Sequence, residues 1–134
     1  MSCMRADCFA KKVLVVEGNH EERTQLADIL KKAGLAPIEA ADGASGLRLF
    51  REEKPDLVIL EETLPVMDGL QVLKRIKAGP VSRRTPVILV TARDYDAEKT
   101  AGGHSAPADF YLSKPYNIAH LLSVIERSLT GGPE

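Results

Sequence analysis

The segment PDLVILEETLPVMDG, residues 55–69, is the part of the chain that best indicates its fold. It opens with a continuous apolar run, residues 57–60, which ends in two acidic residues, Glu61 and Glu62. Apolar runs without alternation are typical of strands buried on both faces of a parallel sheet. Three more apolar runs occur along the chain, at residues 13–16, 35–38 and 87–90. The sequence therefore predicts several short, buried, parallel strands.

Stretches with helical periodicity separate these runs, and the last stretch is the clearest. Its apolar residues recur at the spacing of one helix face: Ile118, Leu121, Leu122, Ile125 and Leu129. Asn19 and Asn117 are suitable N-cap residues for the first and last helices. Alternating strands and helices predict a parallel sheet with helices on both faces. Five strands are predicted, near residues 12–17, 35–40, 56–61, 86–91 and 109–112.

The segment 92–108 should hold the fourth helix, yet it has almost no apolar stripe. Gly102 and Gly103 each disfavour a helix by about 1 kcal/mol relative to alanine. The sequence therefore predicts a short, mobile or distorted helix between the fourth and fifth strands.

Length and composition are those of one globular domain. The chain has 134 residues, of which 44% are hydrophobic and 28% charged, with a net charge of −1. This balance argues against direct contact with nucleic acid. No apolar run approaches the roughly 18 residues of a membrane span, and the N-terminus does not resemble a signal peptide. We expect a cytoplasmic domain over residues 11–131, preceded by a loose extension over residues 1–10.

Polar residues follow the predicted strands, and in an open parallel sheet ligands bind at these carboxyl ends. The residues concerned are Glu17, Glu61, Thr91 and Lys114. Two carboxylates, a hydroxyl and an ammonium are therefore expected to meet at one edge of the sheet. Such a cluster could bind a divalent cation or a phosphate, or it could form an internal ion pair.

Five blocks of sequence resemble, in the same order, the signature blocks of response-regulator receiver domains. They are KVLVVE (12–17), PDLVILE (55–61), LPVMDG (64–69), TPVILVTA (85–92) and ADFYLSKP (108–115). The resemblance covers roughly residues 11–130. It implies a flavodoxin-like α/β fold, a three-layer (βα)5 sandwich with strand order 2-1-3-4-5. In this family a histidine kinase supplies a phosphoryl group to an aspartate at the end of the third strand.

The resemblance also implies roles for individual residues. Lys114 matches the phosphate-contacting lysine, Thr91 the switch hydroxyl and Tyr111 the switch aromatic residue, and Pro115 implies a cis bond after Lys114. The implied partner is a protein, either a histidine kinase or a downstream signalling protein. It would bind the face formed by the predicted fourth helix, the fifth strand and the last helix. A homodimer is left open, and no enzyme activity is expected.

Two positions depart from the family pattern. Glu61 stands where the phosphoacceptor aspartate is expected, and Glu17-Gly18 stands where the family has an acidic pair. The resemblance places Mg²⁺ between the second acid of that pair, the acceptor and the carbonyl of Thr63. Gly18 removes one ligand, and Glu61 is longer than aspartate by one bond of about 1.5 Å. We therefore expect no cofactor, and weak or absent Mg²⁺ binding at the vestigial site of Glu17, Glu61 and Thr63.

An internal ion pair is the hypothesis that follows. Two carboxylates about 5 Å apart repel by roughly 3 kcal/mol at an effective dielectric of 20, so losing one acid relieves the need for a metal. Glu61 would then reach Lys114, with Thr91 as a second partner. The sequence predicts a pseudo-receiver, which signals through protein contacts without phosphorylation. Two alternatives stay open: a working phosphoacceptor with an altered site, and a sensor of a small ligand at the strand ends.

Overall fold

Five short strands form one parallel sheet in the structure, a computed structural model that describes residues 10–92 and 108–130. The strands are β1 (Lys12–Val16), β2 (Ala36–Ala40), β3 (Leu57–Glu61), β4 (Val87–Thr91) and β5 (Phe110–Ser113). They lie in the order β2-β1-β3-β4-β5, and every neighbouring pair is parallel. The predicted strand order is confirmed, and each strand boundary lies within one residue of its predicted position.

Helices follow the strands and begin at side-chain caps. They are α1 (His20–Lys32), α2 (Gly43–Glu53), α3 (Gly69–Ala78) and α4 (Ile118–Leu129), with a short 3₁₀ turn at Ser82–Arg84. The Asn19 side chain accepts a hydrogen bond from the N–H of Glu22, and that of Asn117 accepts one from His120. These bonds satisfy N–H groups that have no partner within the helix. Both predicted caps are confirmed.

Alternation of side chains along the strands divides the core into two faces. On the first, which we call the α1/α4 face, strand residues pack against helices α1 and α4; this cluster includes Val15, Ile59, Leu112, Leu26, Leu30 and Leu121. On the opposite α2/α3 face, the corresponding cluster includes Leu60, Leu89, Leu47, Phe50, Val72 and Leu73. Helices therefore cover both faces of the sheet, as the alternating pattern predicts. Odd-numbered and even-numbered residues of one strand therefore pack against different pairs of helices.

The end of β3 is held against the start of α3 by close backbone contact. The N–H of Gly69 donates a hydrogen bond of 2.9 Å to the carbonyl of Glu62. A Cβ atom at position 69 would lie 2.0 Å from the carbonyl oxygen of Glu61. Glycine is the residue that permits this approach, because it lacks Cβ. The contact sets the position of the two glutamates that follow the buried run.

Some predicted features lie outside the described residues. They are most of the predicted fourth helix, at residues 93–107, and most of the predicted N-terminal extension, at residues 1–9. In the part of the chain that the structure describes, no helix is both long and apolar enough to cross a membrane.

Candidate functional site

The polar residues predicted to gather at the strand ends do so, but on two different faces. Glu17 follows β1 and Glu61 ends β3, and both continue the set of residues that faces α1 and α4. Lys114, which follows β5, has the same parity as Leu112 and lies on this face too. Thr91 ends β4 with the parity of Leu89, so it belongs to the α2/α3 face. The single cluster expected from the sequence is therefore two adjacent groups.

Lys114 is the centre of the group on the α1/α4 face. Its Nζ lies 3.1 Å from Glu17 Oε1, 2.8 Å from Glu61 Oε1 and 2.5 Å from Glu22 Oε1. The side chains of Glu17 and Glu61 are only 11% and 10% exposed, whereas Glu22 is half exposed. The ion pair between Glu61 and Lys114 that the sequence analysis expected is present. Three carboxylates and one ammonium leave the group with a net charge of −2 when all are ionised.

The contact between Glu61 and Lys114 is an ion pair with poor hydrogen-bond geometry. Oε1 of Glu61 is fully buried, and within residues 10–92 and 108–130 no donor reaches it at a hydrogen-bonding angle. The distance of 2.8 Å to the ammonium still gives a strong electrostatic attraction. The buried oxygen is therefore stabilised by charge more than by a directed bond.

Glu61 and Glu17 respond to this environment in opposite ways. Burial raises the pKa of Glu61 to about 7, its interaction with Glu17 adds to the rise, and Lys114 opposes it. Burial would also raise the pKa of Glu17, but bonds from Glu61, the Asn19 N–H and Lys114 outweigh it and hold this pKa below its usual value. Of these two neighbouring carboxylates, Glu61 is therefore the one that takes up a proton near neutral pH, while Glu17 stays ionised.

The pKa of Lys114 is raised. Burial acts to lower it, but the interactions with Glu22, Glu61 and Glu17 outweigh burial. Lys114 is therefore a permanent cation in the physiological range, and its charge is committed to internal partners.

We expect the free energy of unfolding to decrease as the pH rises from about 5 to about 8. The pKa of Glu61 is about 7 in the folded chain, against an ordinary value of 4.5. Between these values the folded chain binds more protons than the unfolded chain, so raising the pH favours unfolding. In Glu61→Gln the side chain at position 61 is neutral at every pH. The free energy of unfolding of this variant should therefore fall by about 1 to 3 kcal/mol less over the same pH range. Urea unfolding at pH 5, 6, 7 and 8 measures the slope.

Glu52→Gln is the matched control for this measurement. Glu52 is 55% exposed on α2, so the pH dependence of this variant should equal that of the unaltered chain. The lowered pKa of Glu17 does not affect the slope between pH 5 and 8. The stability that it contributes is lost only as the pH falls below about 4.5. Equal slopes for Glu61→Gln and the unaltered chain would contradict the assignment.

The start of α1 positions Glu17 and brings in Glu22. Glu17 Oε2 accepts a hydrogen bond of 3.0 Å from the N–H of Asn19, and Arg23 Nη1 donates one of 2.9 Å to the Glu17 carbonyl. The first turn of α1 is thereby fastened to the end of β1. Glu22 was not among the residues predicted for the site. The sequence does hold a signal for it, because Glu22 lies in the first turn of a helix that begins beside the strand ends.

Thr91 belongs to the second group, and its partner corrects the ion-pair hypothesis. Thr91 was predicted to be a second partner of Glu61. The Thr91 hydroxyl instead donates its proton to Glu62 Oε1, at 2.5 Å. A hydroxyl carries a single proton, so this donor is committed to the neighbouring glutamate. From the sequence, Glu62 is only the second of two acidic residues that follow the apolar run 57–60.

Three other residues singled out from the sequence lie near the Lys114 group and the Thr91–Glu62 pair: Tyr111, Thr63 and Gly18. Tyr111 is half-buried on the α2/α3 face, and its hydroxyl accepts a hydrogen bond of 3.1 Å from the N–H of Ala108. Thr63 is exposed directly after Glu62. A Cβ atom at Gly18 would lie 3.2 Å from Pro65 Cδ, so position 18 would accept a side chain only after a small shift. The peptide bond between Lys114 and Pro115 is cis, as the resemblance implied.

Comparison with known proteins assigns the family. The response regulator receiver domain family matches residues 13–126. This chain belongs to that family. Protein PilH of Pseudomonas aeruginosa is 32% identical to this receiver domain over 120 residues, which cover 90% of this chain and 98% of PilH. The phosphate regulon transcriptional regulatory protein PhoB of Escherichia coli is 32% identical over 118 residues, and the match covers 88% of this chain but only 51% of PhoB.

Solved structures agree with this assignment. A response regulator from Chloroflexus aurantiacus has a TM-score of 0.82 and 27% identity, and the match covers 91% of this receiver domain and 99% of that chain. The receiver domain of a sensor histidine kinase from Pseudomonas aeruginosa has a TM-score of 0.80 and 28% identity, with the same coverage. That protein holds a magnesium ion in its active-site cleft. The predicted family and flavodoxin-like fold are confirmed, and the chain is a receiver domain of two-component signalling.

Proposed function

We propose that this receiver domain signals through protein contacts without being phosphorylated. The environment of Lys114 is the observation that carries the proposal. Its ammonium contacts Glu17, Glu22 and Glu61 at 2.5 to 3.1 Å. By the resemblance, this lysine would contact an incoming phosphoryl group. Three carboxylates instead compete with that anion for the same ammonium, and their net negative charge repels a phosphate-bearing donor.

The residues at the strand ends do not fit Mg²⁺. This ion requires oxygen ligands in near-octahedral geometry at about 2.0–2.1 Å. Gly18 offers no side-chain oxygen, and the Oε1 atoms of Glu17 and Glu61 face the ammonium of Lys114. Among the described residues, no three acidic, histidine or cysteine side chains form a group that could hold a metal. We therefore infer that Mg²⁺ binds weakly or not at all.

Glu61 is also a poor nucleophile for phosphoryl transfer. This transfer depends on positioning and on neutralisation of charge around the phosphoryl group. Glu61 is longer than the aspartate of the family, and a misplacement of about 1 Å can reduce a positioned reaction by about 10²-fold. Its pKa of about 7 leaves much of it protonated near neutral pH, and the protonated form is not nucleophilic. Position, charge and protonation thus all disfavour an acyl phosphate.

The partners we propose are proteins, because receiver domains act with histidine kinases and downstream signalling proteins. We propose contact through β5 and α4, together with the segment that links β4 to β5. Half-buried Tyr111 lies on β5, and Arg127 of α4 stacks over the ring of Phe110 at 5.5 Å. A homodimer through this surface stays an alternative to a separate partner.

Incubation with Mg²⁺ and a small phosphodonor, followed by intact-mass measurement, tests the proposal. We expect no phosphoryl adduct on the unaltered chain, because Gly18 lacks a metal ligand and Glu61 is engaged by Lys114. The double variant Gly18→Asp/Glu61→Asp restores a carboxylate at position 18 and the family's aspartate at position 61, and it should gain one phosphoryl group. An adduct on the unaltered chain would overturn the proposal and favour a working phosphoacceptor.

Two controls make the mass experiment specific. Gly18→Asp/Glu61→Asn has the restored metal ligand without an acceptor carboxylate, so it should remain unlabelled. Thermal unfolding of each variant checks the fold, since an aspartate at position 18 must displace Pro65 slightly. An adduct on the asparagine variant would show that the label lies elsewhere in the chain.

A further inference from the structure

The pairing of β3 with β4 places Glu62 beside Thr91. Leu60 is in register with Leu89, and Glu61 with Val90. The ladder continues past the end of β3, because the N–H of Glu62 donates a hydrogen bond of 2.8 Å to the carbonyl of Val90. Glu62 and Thr91 are therefore the next cross-strand pair, and both side chains lie on the same face.

Consecutive glutamates point to opposite faces of the sheet. Glu61 faces α1 and α4, where it meets Lys114. Glu62 has the parity of Leu60 and faces α2 and α3. Two adjacent carboxylates in the sequence thus reach two different groups, the ammonium of Lys114 and the hydroxyl of Thr91.

The bond between Glu62 and Thr91 is buried. Glu62 is 6% exposed and Thr91 is 2% exposed. A carboxylate with so little access to water needs hydrogen-bond donors, and a charge-assisted bond is among the strongest a hydroxyl can make. Because the hydroxyl has one proton, its donation to Glu62 withholds that proton from any anion at the strand ends.

Tyr111 shares the face of this pair. Leu89 is in register with Tyr111, and Thr91 with Ser113, so Tyr111 is the diagonal neighbour of Thr91 across β4 and β5. Its ring packs against the core cluster of the α2/α3 face. A diagonal pair on one face of a sheet lies within reach of an aromatic side chain, so a change at Thr91 can affect the Tyr111 ring.

We infer that Glu62 is a positioning residue that holds Thr91, and through it Tyr111, in one arrangement regardless of the state of Lys114 and its glutamates. The inference rests on the proposed function, in which β5, the strand that bears Tyr111, meets the partner. It extends that function, because it assigns the arrangement of the contact face to Glu62 and not to the Glu61 ion pair.

A double-mutant cycle on unfolding tests the bond itself. Glu62→Leu and Thr91→Val each remove one partner of the buried hydrogen bond, whereas the double variant removes both partners. The double variant should change the unfolding equilibrium constant about tenfold less than the product of the two single changes. Additive effects, with no such deficit, would overturn the inference.

NMR of ¹³C-labelled tyrosine rings tests the effect on Tyr111. We expect its ring signals to shift in Glu62→Leu and in Thr91→Val, and to stay in place in Glu61→Gln, which alters only the α1/α4 face. Glu62→Gln should keep the original signals, because its amide oxygen can still accept the Thr91 proton. Unmoved signals in Glu62→Leu, or equal shifts in Glu61→Gln, would contradict the inference.

The two proposals fail in different experiments. If the unaltered chain gains a phosphoryl group while the double-mutant cycle shows coupling between Glu62 and Thr91, only the proposal of signalling without phosphorylation is rejected. If the unaltered chain stays unlabelled while the two substitutions have additive effects, only the role of Glu62 is rejected.

Discussion

Lys114→Met is expected to lower the free energy of unfolding by about 3 kcal/mol at pH 8, because it leaves buried carboxylates without their cation. Glu17 and Glu61 are only about one tenth exposed, and both contact the Lys114 ammonium. The loss should be smaller at pH 5, where Glu61 can take up a proton in place of its lost partner. Urea unfolding at the two pH values measures both effects.

Lys12→Met is the matched control for this variant. Lys12 pairs with Glu53 at 3.6 Å, but both side chains are more than 40% exposed. Exposed pairs of this kind contribute about 0.5 kcal/mol or less. The double variant Lys114→Met/Glu61→Leu should regain part of the lost stability, since one of the unpaired charges is then absent. A loss in Lys114→Met no larger than in Lys12→Met would show that the lysine and its glutamates are not a coupled buried group.

Gly69→Ala should also destabilise the chain by about 3 kcal/mol, through a clash with the backbone. The added Cβ would lie 2.0 Å from the Glu61 carbonyl oxygen and 2.8 Å from that of Glu62. Neither oxygen can turn aside like a flexible side chain, so α3 must move away from the end of β3. Thermal unfolding measures the loss, and the shifted strand end should also weaken the bond between Glu62 and Thr91.

Gly34→Ala separates this clash from the general effect of replacing glycine. Gly34 has a φ of +86°, and a Cβ there would meet nothing within 4 Å. This variant should lose only about 1 kcal/mol, from the left-handed backbone conformation. Equal losses in the two variants would mean that the contact between α3 and β3 relaxes without difficulty.

The sheet was predictable because its signal is local. Continuous apolar runs identify buried strands wherever they occur, and the alternation with helical stretches leaves a parallel sheet as the consistent arrangement. Strand boundaries agreed within one residue, and Asn19 and Asn117 cap the helices as predicted. The order of the strands came from the resemblance to receiver domains, which the family match confirms.

The sequence predicted most of the residues that form the site, but it did not predict most of the contacts between them. Glu17, Glu61, Thr91 and Lys114 were recognisable because each follows a predicted strand. Of their contacts, only the pair of Glu61 with Lys114 was predicted, because the other contacts depend on side-chain reach across separate elements. Glu22 reaches Lys114 from α1, 92 positions away in sequence, and Glu62 accepts a hydrogen bond from the Thr91 hydroxyl across two paired strands.

The sequence by itself determined that this chain is a parallel α/β receiver domain, with Gly18 in place of an expected acid and Glu61 in place of an expected aspartate. The tertiary structure alone decided how the remaining carboxylates are used. Strand pleating sends Glu61 and Glu62 to opposite faces, and the packing of α1 against β1 brings Glu22 to the lysine. The physical reason is that strands, helices and their end residues are recognisable from local sequence. The pairing of buried charges instead depends on distances between elements that are far apart in the chain.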